Sequence, residues 1–454
     1  EKLHVAGNIK ADTVKPTVVK ITPNAGTGKV LTSDASGNGS WQNSAASAAS
    51  GSIGFGVWGD CATNGNISEY HPVADATGST GDNFGVSVSM SGNYAIAGAY
   101  GDDGGLGVDQ GSASIYQFNG SSWVLMQKLT DATGATLDFF GYSVYISGIY
   151  AIVGSPFDDG ALGTDQGSAS IYKFNGSSWV LMQKLTDASG AASDYFGISV
   201  AITDSYAIIG AYVDDGPLGA DQGSVSIYKL NGANWVLSQK ITDATGGTGD
   251  FFGFKVALSG NYALVGAFGE DGVEFGVDQG SASIYQYNGS NWVLMQKLID
   301  ATGNANDNFG GSVAIAGNYA IVGAYADDGL GGVDEGSASI YRYNGSTWVL
   351  MQKITVATAA ASDNFGASVA LSENYAVIGA SRDSDAGGVQ QGSATIYVRV
   401  GLGWQKLQYL TDPAGAASDR FGTSVGFDEA SKRFIIGAFK YTGDSGKVVF
   451  GKIN

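Results

Sequence analysis

Residues 138–186 read DFFGYSVYISGIYAIVGSPFDDGALGTDQGSASIYKFNGSSWVLMQKLT, and the chain is organised around this stretch. The same pattern recurs along the sequence. Its Phe-Gly pairs begin at Phe84, Phe140, Phe196, Phe252, Phe309, Phe365 and Phe421, with spacings of 56, 56, 56, 57, 56 and 56 residues. Self-similarity at a fixed period is typical of repeat architectures, in which every repeat is one structural unit. The sequence therefore predicts seven copies of one unit.

Each repeat contains four short runs rich in Val, Ile and Tyr between clusters of Gly, Asn, Asp and Ser, as strands and turns do. In the second repeat, this pattern predicts strands A to D near residues 141–146, 150–155, 168–174 and 179–185. The A–B and C–D links are minimal turns. The B–C and D–A links are longer and rich in Asp and Gly. In a four-stranded antiparallel sheet both long links leave from one end, so we expect all the elaborated loops on one face. The predicted fold is an all-β, seven-bladed β-propeller.

The two ends of the repeat array complement each other. The last repeat stops after strand C, near residues 447–453, and lacks a strand D. Residues 67–75 align with residues 123–131, which contain strand D of the first repeat, at an offset of 56. We therefore predict that this N-terminal strand closes the last blade, which removes the free edges of an open array.

The Phe-Gly pair, the following Ser-Val and the later Gly-Ala-Tyr or Gly-Ser-Pro resemble the FG-GAP repeat of integrin α-subunit heads and bacterial surface proteins. The resemblance covers residues 63–454 and implies a seven-bladed propeller. It does not fix a function, because one fold carries many functions. Integrin-type propellers hold calcium in the A–B hairpin with an Asp-x-Asp-x-Asp-Gly spacing, whereas that hairpin is Ser91-Gly92-Asn93 here. The calcium site of the family is therefore not expected in this hairpin.

Charge and composition limit the classes of function. The formal net charge is −19, with +2 in residues 1–50 and −21 in the remainder. So acidic a propeller repels polyanions, and nucleic acid is not an expected partner. The sequence has no apolar stretch of membrane-spanning length. Sparse Lys and Arg among many Asp, Asn, Ser, Thr and Gly favour an extracellular or cell-surface protein, with any leader absent from this sequence. The single Cys61 gives no disulfide framework and is expected to be buried.

The N-terminal residues do not follow the repeat. We predict an arm at 1–43, an Ala/Ser/Gly linker at 44–56 and the propeller at 57–454. Residues 3–12 and 28–41 each indicate a short strand pair, so the arm is predicted to be β-rich. The arm resembles head segments of tail-fibre-like and surface proteins of Bacteroidota. It is too short to bury a core alone, so we expect it to dock on the propeller or a partner, to oligomerise or to insert into a larger assembly.

The B–C loops carry candidate metal ligands, because most of them contain Asp-Asp-Gly and a third acidic residue further along. The candidates are Asp102, Asp103, Asp109, Asp158, Asp159, Asp165, Asp214, Asp215, Asp221, Asp327, Asp328 and Asp334. Such oxygens suit calcium, although about six to eight must converge and the spacing is not that of an EF-hand. The alternative is a set of solvated acids that form turns. A calcium site predicts a melting temperature that is sensitive to chelators.

Three further residue types repeat. An Asp lies two residues before each Phe and is predicted to accept backbone N–H bonds in the D–A turn. A Trp begins strand D in most repeats and is predicted to pack between blades. Aromatic residues follow strand B at the mouth of the long-loop face, where they suit either ligand contact or core packing. The candidate ligand-binding residues among them are Tyr100, Tyr212, Phe268 and Tyr325.

Signals of catalysis are poor. His4 and His71 are the only histidines, and neither lies beside a Ser or Cys nucleophile motif. The acidic residues recur in nearly every repeat, whereas an active site is normally unique. The sequence therefore predicts a non-enzymatic binding or adhesion module that requires no cofactor. Its acidic long-loop face would meet a protein or glycan, on a cell surface or within a surface assembly, with the arm as tether. The alternative is a structural component that decorates or caps a fibre, secretion or injection apparatus.

Overall fold

A computed structural model of the chain describes residues 29–33, 39–43, 66–75, 77–105, 107–271, 277–328, 333–356, 361–384 and 389–454. The chain divides into two compact units, Glu1–Cys61 and Ala62–Asn454. The predicted linker, residues 3–12 and Cys61 lie outside the described residues. Within the described ranges, no helix combines the length and the apolar character that crossing a membrane requires.

The first unit contains one described strand pair. Strands β1 (Lys29–Ser33) and β2 (Gly39–Asn43) are antiparallel, with Leu31 opposite Trp41. This pairing confirms the strand pair predicted within residues 28–41.

The second unit consists of seven four-stranded antiparallel sheets, the blades. The strand that precedes the first blade in the chain is β3 (Ile67–Ala74). Blade 1 consists of β4 (Val88–Ser91), β5 (Tyr94–Ala99), β6 (Ser112–Phe118) and β7 (Trp123–Leu129), and blade 2 consists of β8 (Ser143–Ser147), β9 (Tyr150–Ser155), β10 (Ser168–Phe174) and β11 (Trp179–Leu185). Blade 3 consists of β12 (Ser199–Ile202), β13 (Tyr206–Ala211), β14 (Ser224–Asn231) and β15 (Asn234–Thr242), and blade 4 consists of β16 (Lys255–Ser259), β17 (Tyr262–Ala267), β18 (Ser281–Tyr287) and β19 (Trp292–Leu298). Blade 5 consists of β20 (Phe309–Ala316), β21 (Tyr319–Ala324), β22 (Ser337–Tyr343) and β23 (Trp348–Ile354), and blade 6 consists of β24 (Phe365–Leu371), β25 (Tyr375–Ala380), β26 (Ser393–Val400) and β27 (Gly403–Leu410). Blade 7 consists of β28 (Ser424–Asp428), β29 (Arg433–Ala438) and β30 (Lys447–Ile453) together with β3. One helical turn, α1 (Tyr441–Asp444), lies in the B–C loop of blade 7.

The first strands of neighbouring blades contact one another around the whole ring, including β28 with β4. Strand A is therefore innermost and strand D outermost, and the all-β, seven-bladed propeller is confirmed. Strands B, C and D of the second repeat lie where the sequence predicts them. Strand A begins at Ser143 rather than Gly141, because Gly141 has a φ of 93° and Phe140 forms a parallel bridge to Gly111 of the preceding blade.

The N-terminal strand completes the last blade. Strand β3 pairs with β30, with Val73 opposite Val448, as the sequence predicts. The seam between blades 7 and 1 is packed by Trp123, whose ring stacks on Phe450 at 4.5 Å. Strand β3 therefore covers the outer edge that β30 would otherwise leave unpaired.

Apolar side chains fill the spaces between adjacent blades. The Phe of each Phe-Gly pair is buried, and the Phe140 N–H donates to the Gln110 carbonyl of the preceding blade at 2.9 Å. Ile96 of blade 1 and Phe140 and Trp179 of blade 2 belong to one such cluster. The predicted inter-blade packing of tryptophan is confirmed, since all six strand-D tryptophans are at most 7% exposed. The six are Trp123, Trp179, Trp235, Trp292, Trp348 and Trp404.

Candidate functional site on the long-loop face

The two kinds of long loop meet at one end of the ring. The B–C loop of blade 1 accepts hydrogen bonds from the D–A link that leads into blade 2. Leu137 N–H donates to the Val108 carbonyl at 3.0 Å, and Phe139 N–H donates to the Asp109 carbonyl at 3.3 Å. The predicted common face of the elaborated loops is therefore present, and we call it the long-loop face.

The first acidic residue of the B–C loop forms part of a buried ion cluster. In blade 2, Lys184 Nζ lies 2.5 Å from Asp158 and 2.7 Å from Asp131 of the preceding blade. Burial alone would raise the pKa of Asp131, but hydrogen bonds from Lys184 and Thr133 hold it below its ordinary value. These carboxylates tie strand D of one blade to the next, and the two share one ammonium group. The equivalent first acids are Asp102 with Lys128, Asp214 with Lys240, Glu270 with Lys297 and Asp327 with Lys353.

The second and third acidic residues close the loop on itself. Asp159 Oδ1 accepts the Asp165 N–H at 3.0 Å, and Asp165 is left-handed with a φ of 53°. Blade 6 builds the same closure from neutral residues, since Ser384 Oγ accepts the Gln390 N–H at 3.1 Å. The same bond joins Asp103 to Asp109, Asp215 to Asp221 and Asp328 to Asp334.

The first acid of each such loop thus joins the ion cluster, and the second and third make one loop-closing bond. Among the described residues, no three His, Cys, Asp or Glu side chains converge as a metal site requires. Calcium binding by the candidate aspartates stays a prediction, and these contacts favour their alternative role in forming the loops.

The Asp two residues before each Phe shapes the D–A turn, as predicted. Asp138 Oδ2 accepts the Ala135 N–H at 2.5 Å, and Asp194 Oδ2 accepts the Ala191 N–H at the same distance. Both carboxylates are buried. Burial raises the pKa of Asp194 to about 6, and that of Asp307 to about 6 as well. The same bond is made by Asp82, Asp250, Asp307 and Asp419.

Half-buried aromatic rings form a continuous arc over blades 1 to 4, which we call the aromatic crescent. Its members are Tyr100, Phe139, Tyr142, Phe157, Tyr195, Tyr212, Phe251, Phe254 and Phe268. Neighbouring ring centroids are between 4.5 and 6.4 Å apart. The crescent contains three of the four predicted ligand-binding residues. The fourth, Tyr325, lies on blade 5, where its ring covers Gly311 at a distance that leaves no room for a Cβ.

Six residues of the crescent were not predicted from the sequence. Phe139, Tyr195 and Phe251 each stand immediately before the Phe of a Phe-Gly pair and have φ angles of 54° to 58°. The sequence signal for these three residues is that their position differs between repeats, since it is Asn in three other repeats and Arg in one. The remaining three unpredicted residues are Tyr142, Phe157 and Phe254.

Aliphatic side chains project from the tips of the B–C loops. In four of them the neighbouring blade holds the backbone, as where Asn306 N–H donates to the Val277 carbonyl at 2.9 Å, and the others of the four are Val108, Val333 and Val389. Such residues combine an ordered backbone with an apolar side chain that solvent reaches. The exposed tips, 53% to 69% accessible, are Val108, Leu162, Leu218, Val277, Val333 and Val389.

Comparison with known proteins identifies the repeat. A protein-family model described as FG-GAP repeat matches residues 73–116, 123–172, 179–228, 235–285, 292–341 and 348–397. The chain belongs to the FG-GAP repeat family. Each matched FG-GAP segment begins within or at the start of strand D of one blade and ends in strand C of the next, so the match and the blade are offset by one strand.

Other comparisons add little to the FG-GAP assignment. A search of the curated proteins finds no match. Among solved structures, a functionally unknown protein from Desulfotomaculum acetoxidans DSM 771 is similar with a TM-score of 0.45. The identity is 10% over 72% of this chain and 86% of that chain.

Proposed function

We propose that this FG-GAP repeat chain is a non-enzymatic binding module whose long-loop face contacts a protein or glycan. The observation that carries the proposal is the set of exposed aliphatic loop tips, four of which, Val108, Val277, Val333 and Val389, are 59% to 69% accessible on backbones bonded to the neighbouring blade. Ordered apolar side chains with a polar surround are typical of interaction surfaces, because they are desolvated on contact without a large loss of entropy.

The repeated carboxylates support a binding role over a catalytic one. Asp158 neutralises Lys184, Asp159 closes its loop, and Asp194 holds the D–A turn. Each of these groups has a structural partner in its own blade or the next. The variable residues lie on the same face as the loop tips, where they are free to determine what is bound.

A second candidate function, a structural component of a larger apparatus, is favoured by the outer strands. Five copies of strand D expose an adjacent Val and Leu on the circumference of the ring, each side chain 44% to 51% accessible. A belt of this kind suits lateral packing against a neighbouring subunit. The pairs are Val124 and Leu125, Val180 and Leu181, Val236 and Leu237, Val293 and Leu294, and Val349 and Leu350.

Two matched triple variants distinguish the candidates. V277S/V333S/V389S removes three loop tips, and V180S/V236S/V293S removes three outer-strand side chains of the same type. Since all six are exposed, we expect both variants to keep the wild-type melting temperature. Labelled full-length chains are applied to a glycan array and to surface proteins of candidate host or neighbouring cells. The binding proposal expects loss of signal only in the loop-tip variant, and loss only in the outer-strand variant would support the structural role instead.

We also propose that residues 1–43 tether the propeller and that the protein acts outside the cell or at its surface. Composition supports the location, since Lys and Arg number 23 against 42 for Asp and Glu. Removal of residues 1–43 should abolish attachment to the parent cell or assembly while ligand binding by the long-loop face is retained. Unchanged attachment after this deletion would contradict the role of the arm.

A further inference from the structure

We infer that the centre of the long-loop face binds a glycan that ends in a single carboxylate sugar. The aromatic crescent stacks on the sugar rings, and Arg382 and Arg420 hold the carboxylate. This inference rests on the proposed binding function and adds to it the site and the chemical class of the ligand.

Equivalent positions of the seven repeats form a circle at the centre of the long-loop face. Phe139 precedes the Phe-Gly pair of blade 2 and packs between Tyr100 of blade 1 at 5.3 Å and Phe157 of blade 2 at 5.0 Å. Arg420 occupies the position of Phe139 in blade 7, with a φ of 61° against 54°. Arg382 occupies the position of Phe157 in blade 6. Both arginines therefore belong to the same circle as the crescent.

The circle has two chemically different halves. Blades 1 to 4 present the crescent, whereas the corresponding positions of blades 5 to 7 are aromatic only at Tyr325 and Phe439 and are otherwise small, polar or basic. Those positions include Asn308, Asn364, Arg382, Arg420 and Lys440. Packing accounts for residues that recur in every blade, but it does not require one half to be aromatic and the other cationic. A ligand that binds once, across the centre, does require two unlike halves.

The aromatic half suits a carbohydrate. Its rings are half-buried and contact one another largely by edges and tilted faces, as between Phe139 and Phe157 at 80°, so they form a shallow platform. The face of an aromatic ring carries partial negative charge and attracts the C–H groups of a pyranose. A sugar ring that stacks on such a face buries apolar area without needing a deep pocket.

The cationic half suits a carboxylate. Among the described residues, neither Arg382 nor Arg420 has an acidic side chain within ion-pair distance, whereas every strand-D lysine of blades 1 to 5 has two. Arg420 Nε is buried and has no hydrogen-bond partner within the described ranges. The pKa of Arg420 is lowered by burial and by the adjacent positive charge of Arg382, because the two cations repel each other. A planar carboxylate satisfies guanidinium groups bidentately and relieves this repulsion.

A third basic group lies behind the crescent. Lys255 Nζ lies 5.0 Å from the centre of the Phe254 ring, and it has no acidic partner in the described part of the chain. The equivalent residue in the other six repeats is serine. Burial lowers the pKa of Lys255. This replacement places an amine on the innermost strand on the side of the aromatic platform.

The surrounding field limits the ligand to few charges. Exposed carboxylates lie on the B–C loops of blades 1 to 5, and the whole chain carries −19. A polyuronate would meet these acids along its length, whereas one terminal carboxylate on a neutral glycan meets only the arginines. The exposed acids of the B–C loops are Asp103, Asp159, Asp215, Asp271 and Asp328.

Calorimetric titration of the full chain tests the inference with three probes. They are an oligosaccharide that ends in glucuronic acid, the same oligosaccharide ending in glucose, and a polyuronate. We expect the first to bind most tightly. Equal binding of the acidic and the neutral oligosaccharide, or preference for the polyuronate, would overturn the inference.

The variants use residues that the chain itself accommodates at these positions. R382A/R420N introduces the Ala and Asn of other blades, and Y195N/F251N introduces the Asn found at 83, 308 and 364. R382A/R420N should weaken binding of the acidic probe about ten-fold or more and leave the neutral probe unchanged, because charge-assisted hydrogen bonds are lost. Y195N/F251N should weaken both probes. R342Q, at an exposed site near the opposite face, is the charge control and should bind as wild type.

The outcomes separate this inference from the proposed function. If the loop-tip variant loses a protein or neutral glycan ligand but no acidic glycan binds, the inference alone fails. If no ligand depends on the long-loop face, the proposed function fails with it. A peptide whose terminal carboxylate binds through Arg382 and Arg420 in preference to the glycan would overturn the assignment of ligand class.

Discussion

Individual glycines set the distance between blades. Gly154 at the end of strand B faces the backbone of blade 3, where a Cβ would lie 2.0 Å from the Gly197 carbonyl oxygen. The corresponding distance at Gly98 is 1.9 Å, to the Gly141 oxygen. The Gly of the Gly-Ala pair and the Gly of the next Phe-Gly pair therefore meet backbone to backbone. This contact is the physical reason that both motifs recur.

Substitution Gly154→Ala should destabilise the propeller. Because the obstacle is backbone rather than a flexible side chain, we expect a loss of about 3 kcal/mol in the free energy of unfolding, at the upper end for overpacking. Urea denaturation of the full chain measures it. Gly105→Ala is the control, since no atom lies within 4 Å of its Cβ, and equal losses in the two variants would contradict this explanation.

Buried aspartates at the D–A turns make stability depend on pH. Burial raises the pKa of Asp194 and Asp307 to about 6 from an ordinary 3.8. Between these values the folded state binds more protons than the unfolded state, so these groups make stability rise as pH falls from 7 to 5. The pKa of Asp187 is held below its ordinary value despite burial, by bonds from Lys240 and Ser189, so its contribution is lost only in stronger acid.

We therefore expect the wild-type chain to resist urea better at pH 5 than at pH 7. The variant D194N/D307N should show a smaller difference, because it lacks two of the groups that take up protons on folding. Reduced repulsion between surface acids affects both proteins equally and serves as the internal control. An unchanged pH dependence in the double variant would refute the assignment.

At the scale of elements, a Lys–Asp pair joins strand D of one blade to the end of strand D of the preceding blade. At one junction of the ring both residues of the pair are replaced. Lys240 on β15 contacts Asp187, which follows β11, at 2.7 Å. At the junction of blades 5 and 6 the two positions hold Val356 and Tyr409. Val356 packs against an apolar cluster, and the Tyr409 hydroxyl donates to Asp383 at 2.6 Å. Both partners changed together, as expected if leaving one of them buried alone is costly.

A double-mutant cycle reproduces this exchange at the junction of blades 2 and 3. K240Y alone leaves Asp187 buried without its cation and should cost about 3 kcal/mol in the free energy of unfolding. K240Y/D187V should cost less than the sum of the single changes by at least about 1 kcal/mol. Thermal or urea unfolding of the four proteins gives the coupling. Strict additivity would mean that the pair does not act as a unit.

At the scale of the molecule, ring closure depends on a strand far away in sequence. Strand β3 pairs along β30, and Arg433 donates to Glu69 across this seam at 3.2 Å. Without β3, strand β30 would present an unpaired edge, and Lys128 would lose Asp75 as an ion-pair partner. Cooperative folding of all seven blades is therefore expected to require the N-terminal strand.

Two truncations test this dependence. Deletion of residues 1–61 removes the first unit and retains β3, and this variant should melt in one transition at the temperature of the full chain. Deletion of residues 1–75 removes β3 and should give aggregation or an earlier, broader transition. Size-exclusion chromatography and thermal melting distinguish the two results. Identical behaviour of both deletions would contradict closure by β3.

Local pattern and long-range packing differ in how far they are predictable. Strands such as Ser168–Phe174 follow from alternation and turn residues, and the offset of 56 residues predicts the pairing of β3. The start of strand A was wrong by two residues, because Gly141 is turned by a contact with the preceding blade. The partners of Lys184 were not predictable, since Asp131 reaches it from the end of strand D of the preceding blade and Asp158 from the B–C loop of its own blade.

The sequence by itself determined the repeat, the four strands of each blade, the number of blades and the closing strand, because hydrophobic alternation, turn chemistry and period are local or periodic properties. Only the tertiary structure decided which acids are neutralised, which close loops, and which aromatic residues join into one crescent opposite two arginines. These groups lie about 56 residues apart in the chain and become neighbours only when blades pack side by side, so their distances depend on the ring rather than on any one repeat.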